Sequence, residues 1–130
     1  MWLTAEHYDI PLTFDDLVKA GSMLGSGAII IMDETADVLA VANRLSHFYA
    51  HESCGQCTPC REGTGWLHRV LTRIEMGEGQ PGDLEVLEDA ARHMAGRTIC
   101  ALADGAAAPV LSVIQNFPEV VRAGIREQAA

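Results

Sequence analysis

The chain has 130 residues, 48% of them hydrophobic, and a formal net charge of −9 at pH 7. That is the size of one ordinary domain, with enough apolar mass to bury a core without the help of disulfides. The composition excludes a nucleic-acid binder, because Lys19 is the only lysine and no Lys/Arg cluster occurs.

Asp15-Asp16-Leu17-Val18-Lys19-Ala20 reads as a short helix that ends at Gly21, and Gly21 to Gly27 as a loop. These glycines carry neither a Gly-x-Gly-x-x-Gly pattern nor a P-loop lysine, so a tight turn is a better reading than phosphate binding. Ala28-Ile29-Ile30-Ile31-Met32 is rich in β-branched residues and fits one buried strand. It is also the longest apolar run, far below the ~20 residues of a membrane span, so direct membrane insertion is not expected. A single strand cannot satisfy its own backbone groups, which makes residues 1–33 read as the tail of a larger domain.

From residue 34 to 130 the pattern is helical. Asp33 or Thr35 can cap a helix whose inward face would be Val38, Val41, Ala42, Leu45, Phe48 and Tyr49. Trp66, Leu67, Val70, Leu71 and Ile74 form a second face, ended by the loop Met76 to Gly82. Asp83 opens a third helix with Leu84, Leu87, Ala90, Ala91 and Met94 inward and Gly96 at its end. A fourth runs from about Asp104 to Asn116 around Pro109, and Pro118 opens a last segment through Val120, Val121 and Ile125. The fold expected is mainly α: a small four-helix bundle behind a remnant of one helix and one strand.

Cys54-Gly55-Gln56-Cys57-Thr58-Pro59-Cys60 spells C-x2-C-x2-C, and Cys100 follows after 39 residues. The N-terminus, Met1 to His7, lacks the charged and apolar regions of a signal peptide. A reducing, cytoplasmic setting is therefore expected, where four cysteines are more often metal ligands than disulfides. A cubane 4Fe-4S cluster needs one thiolate at each of four tetrahedral corners. Three thiolates at steps of three wrap three corners from one loop, and the fourth must come from elsewhere. With alternating helix directions, the loop carrying Cys100 falls at the same end as the cysteine-rich loop. Zinc held by the same four residues is the alternative, although zinc sites commonly use two separate C-x2-C pairs. Redox disulfide chemistry at Cys54/Cys57 or Cys57/Cys60 fits less well, because the expected setting is helical rather than βαβ.

Arg61 follows the third cysteine and Arg97 precedes the fourth by three residues. Both are candidates to face a negatively charged cluster, or are simply solvated. Cys60 sits where a helix begins, so free backbone N–H groups are available to sulfur there. Ser53 can donate a hydrogen bond or cap a helix, as can Thr98, and His51 is the only histidine near the cysteines.

Tyr49-Ala50-His51-Glu52-Ser53-Cys54-Gly55-Gln56-Cys57-Thr58-Pro59-Cys60-Arg61-Glu62-Gly63 closely resembles the cluster motif of the flavin-bearing NADH dehydrogenase subunit of respiratory complex I. That is the 51 kDa subunit in mitochondria and the F subunit in bacteria, with relatives in NAD-linked hydrogenases and formate dehydrogenases. Thr98-Ile99-Cys100-Ala101-Leu102-Ala103-Asp104 with Pro109 resembles the fourth-ligand segment of that family. Ala20 to Gly27 resembles the end of its β-grasp domain, which would make residues 1–33 a truncated remnant of that domain. The resemblance implies that Cys54, Cys57, Cys60 and Cys100 bind one 4Fe-4S cluster that accepts single electrons from FMN. It also implies that FMN and NADH bind a large N-terminal domain not contained in this sequence, so these residues alone should not oxidise NADH. The partners it implies are a thioredoxin-like 2Fe-2S subunit and a large iron–sulfur subunit, in a complex peripheral to the inner face of the membrane.

Overall fold

The computed structural model describes residues 1–126 and divides into two compact units, Met1–Ala36 and Asp37–Ala130. In the first unit a 3-10 turn, Ala5–His7, is followed by helix α1, Phe14–Lys19. Thr13 opens α1 by accepting from Asp16 N–H at 3.1 Å and donating to the Asp16 carboxylate at 2.7 Å. Leu17 is its buried residue. The expected strand at Ala28 to Met32 does not form: no strand occurs among the described residues, and Ile31 is 85% exposed. An isolated extended segment gains nothing from strand geometry when no second strand takes up its N–H and C=O groups. No β-grasp remnant is therefore present among the described residues.

The second unit holds α2 (Val38–Glu52), α3 (Thr58–Glu75), α4 (Asp83–Met94), α5 (Leu102–Asn116) and the short α6 (Pro118–Ala123). Helix α2 packs on α3, α3 on α4, α4 on α5, and α5 returns to α2, which closes a four-helix bundle. Loops this short make sequence neighbours antiparallel. The core is aliphatic: Leu67, Leu71 and Ile74 of α3, Leu87 and Met94 of α4, and Val110 and Val113 of α5 are almost fully buried. Each such side chain contributes roughly 1.5–3 kcal/mol by leaving water. Alanines at 103, 106 and 107 keep α5 slim enough to sit among its neighbours. Pro109 lies inside α5, as expected.

Three details depart from the sequence pattern. The N-cap of α2 is Asp37, whose carboxylate accepts from Ala40 N–H at 3.0 Å. Asp33 is instead taken up by Thr35 in a turn, 2.6 Å from its hydroxyl. The inward face of α2 is Leu39, Ala42, Asn43 and Ser46, while Phe48 is 54% exposed. Asn43 can lie on that face because α3 supplies its hydrogen-bond partners. Asn43 Nδ2 donates to Glu75 Oε2 (2.5 Å). Its Oδ1 accepts from His68 Nδ1 (2.9 Å) and Thr72 Oγ1 (3.2 Å). Trp66 is 53% exposed rather than inward, since it falls on the flank of the stripe formed by Leu67, Leu71 and Ile74.

The α3–α4 loop closes the far end of the bundle. Arg73 grips Asp83 with two guanidinium nitrogens, Nε at 2.7 Å and Nη2 on the other carboxylate oxygen. Asp83 also accepts from Gln80 N–H at 2.8 Å. Gly79 N–H donates to Gly124 O (3.0 Å) and Gly79 O accepts from Arg126 N–H (2.9 Å), tying that loop to the chain after α6. A Cβ on Gly124 would overlap the Ile74 carbonyl, so this approach requires glycine.

Candidate metal centre

The cysteine-rich loop joins α2 to α3. Helix α2 ends at Ser53, whose N–H donates to Tyr49 O at 3.1 Å. Gly55 then takes φ +78, a left-handed turn that reverses the chain without a side-chain penalty. Cys57 is the N-cap of α3, and Pro59 lies in its first turn, where a missing N–H costs nothing. Cys60 therefore sits in the first turn of α3 and faces inward, 7% exposed, while Cys54 is exposed and Cys57 half-buried. The Thr64 hydroxyl donates to Cys60 O at 2.8 Å and steadies that turn.

Cys100 is exposed in the α4–α5 loop, just before the N-cap of α5, Ala101. Asp104 accepts from Gly96 N–H at 2.7 Å and so braces this loop against α5. Thr98 Oγ1 donates to Cys100 O at 2.9 Å. The two loops meet: Ile99 N–H donates to Cys57 Sγ at 3.4 Å, across 42 positions of sequence. The N-termini of α3 and α5 therefore lie at one end of the bundle, and their partial positive charges favour anions there.

All four cysteines are free. Among the described residues no group of three or more His, Cys, Asp or Glu side chains is drawn together as around a single metal ion. The donor chemistry and its placement nonetheless fit an iron–sulfur cluster. Four soft thiols lie on two touching loops, beside two helix N-termini. A cluster is wider than one ion, so its ligands do not converge on one point.

The neighbours singled out in the sequence take different positions. Arg61 clamps the loop rather than standing free: Nη1 donates to Gly55 O (2.9 Å) and Nε to Glu62 Oε1 (2.9 Å). Ser53 Oγ lies 3.3 Å from Cys60 Sγ and accepts from Gly55 N–H at 3.4 Å. Arg97 lines an open surface groove of about 690 Å³ with Thr58, Pro59 and Trp66. His51 is exposed, and its Nδ1 meets Glu52 Oε1 at 3.0 Å. The Ile99 amide has no counterpart in the sequence reading, because a backbone donor has no side-chain signature.

Residues 40–124 match the family model of the NADH-ubiquinone oxidoreductase-F iron–sulfur binding region. The chain belongs to this family. All four cysteines lie within the matched span. The F subunit of NADH-quinone oxidoreductase from Streptomyces coelicolor is 51% identical over 116 residues, covering 89% of this chain and 26% of that protein. The same protein of Mycobacterium tuberculosis is 50% identical over 115 residues, covering 88% and 26%. The chain thus spans about a quarter of the length of these curated relatives. Among solved structures, NAD+-reducing NiFe hydrogenase in its H2-reduced state superposes with a TM-score of 0.83 at 31% identity, covering 96% of this chain and 20% of that one. The air-oxidised form gives 0.85 at 29% identity, covering 100% and 22%. Among the described residues no helix is long and apolar enough to cross a membrane.

Proposed function

We propose that Cys54, Cys57, Cys60 and Cys100 hold one 4Fe-4S cluster and that residues 34–130 form an electron-relay domain. Residues 1–33 belong, on this reading, to a neighbouring domain. The observation that carries it is the Ile99 N–H to Cys57 Sγ contact, which brings the fourth cysteine's loop to the other three. When bound, such a cluster accepts and releases one electron at a time. The chain's own residues supply four thiolates, two helix N-termini that favour the added negative charge, and a loop fixed by Arg61 and Gly55.

In the longer protein, electrons would arrive singly from FMN reduced by NADH. They would leave toward iron–sulfur centres of other subunits: a large iron–sulfur subunit, with a thioredoxin-like 2Fe-2S subunit nearby. An NADH:quinone oxidoreductase is favoured as the parent complex, because its relatives reach 51% identity against 31% for the hydrogenase. The complex would lie on the cytoplasmic side, peripheral to the membrane. Anaerobic reconstitution tests the assignment: about four irons and four sulfides per chain are expected, with a broad visible absorbance that bleaches on reduction. Stoichiometric zinc from iron-replete anaerobic preparation would contradict it.

A further inference from the structure

Ser53 occupies a particular place in the cysteine loop. Its Oγ accepts from Gly55 N–H at 3.4 Å and lies 3.3 Å from Cys60 Sγ. A hydroxyl has one proton and two lone pairs. One lone pair is turned to the Gly55 amide; once Cys60 is a deprotonated ligand it has no proton to give, and the hydroxyl is then the donor of the pair. The backbone holds this arrangement from both sides. Ser53 N–H ends α2 on Tyr49 O, and Arg61 fixes Gly55 through its carbonyl. Cys60 is also the one buried cysteine of the four. The contact is part-buried, so water competes with it less than with an exposed hydrogen bond. The Ile99 amide on Cys57 lies in an exposed setting, where water can replace it.

We propose that Ser53 raises the reduction potential of the iron–sulfur centre by donating its hydroxyl proton to Cys60 Sγ. The inference rests on the assignment of Cys60 as a ligand made above. An added electron increases the negative charge on the ligand sulfurs, so a donor aimed at one of them stabilises the reduced form more than the oxidised form. The proton stays on Oγ in both states, and Ser53 acts through Cys60 as a positioning residue.

The test is a potentiometric titration, followed by electron paramagnetic resonance, of the full 130-residue chain reconstituted with iron and sulfide. The wild type, Ser53→Ala and Ser53→Thr are compared, with iron and sulfide measured on each. Ser53→Ala should keep the wild-type iron content but lower the reduction equilibrium about tenfold, which is about 59 mV for a one-electron couple. Ser53→Thr retains the hydroxyl and should keep the wild-type potential. An unchanged potential in Ser53→Ala at full iron content overturns the proposal and leaves the ligand assignment standing. An equal fall in both variants also overturns it, because shape and not the hydroxyl would then be responsible. If Ser53→Ala loses its iron while the wild type holds it, the hydroxyl is needed to retain the cluster rather than to set its potential, and the proposal is overturned. A wild-type chain that takes up no iron and sulfide overturns both this proposal and the ligand assignment.

Discussion

At the α3–α4 end of the bundle, Arg73, Asp83, Gln80 and the Gly79–Gly124 pairing close the fold with hydrogen bonds the chain supplies to itself. At the opposite end, Cys54 and Cys100 are exposed, and the Ile99–Cys57 hydrogen bond joins the two loops. One end is closed by the chain's own hydrogen bonds, and the other carries the four free thiols proposed above as ligands. If the four thiols are the ligands, stability and binding are divided by position. Changes at the closed end should unfold the chain without altering what it binds, and changes at the cysteine end should do the reverse.

The largest effect on stability is expected from Ile74→Ala, which empties a fully buried site beside Gly124. A loss of about 2–5 kcal/mol should appear in thermal or urea melts, with iron per folded chain unchanged. Asp83→Ala should cost about 1–3 kcal/mol, because it removes the hydrogen bonds that the buried carboxylate accepts from Arg73 and the Gln80 N–H. The pair also predicts acid sensitivity. Burial pushes the Asp83 carboxyl up, but the hydrogen bonds from Arg73 and Gln80 and the Arg73 charge outweigh it and hold the pKa below the ordinary value. Its stabilisation is thus present above the unfolded value of about 3.9 and lost as pH falls through the lower folded value. Melts in acid should show this slope in the wild type and not in Asp83→Ala.

The smallest effect belongs to His68, between the two ends. Burial first, then the neighbouring His47 and Arg69, lower its pKa, while Glu75 works the other way. The unfolded chain protonates near pH ~6.5, so stability is complete above about that pH and declines as pH falls from it toward the folded value. His68→Gln should remove that part of the slope in melts between neutral and mildly acidic pH.

The bundle was legible because two of its faces are written in apolar residues, Leu67, Leu71 and Ile74 and then Leu87, Ala91 and Met94. The α2 face was misread because Asn43 and Ser46 look like surface residues until His68, Thr72 and Glu75 are seen to answer Asn43. Ile29 to Ile31 misled in the opposite sense: β-branched residues favour strands only when a second strand is available. The cysteine spacing pointed to one compact loop. Ser53 was legible as a residue beside the cysteines able to donate or to cap, but which sulfur it faces, Cys60, follows only from the fold.

Whether Cys100 is the fourth ligand is decided by Cys100→Ser, assayed for iron and acid-labile sulfide after anaerobic reconstitution. Serine keeps the size of the side chain but replaces a soft thiolate with a poor ligand for iron. Cys100→Ser, like Cys57→Ser, should lose the cluster or retain only a three-iron form, while Ser53→Ala should still hold about four irons. A Cys100→Ser chain carrying a full, spectroscopically unaltered cluster beside a Cys57→Ser chain that carries none would contradict that assignment.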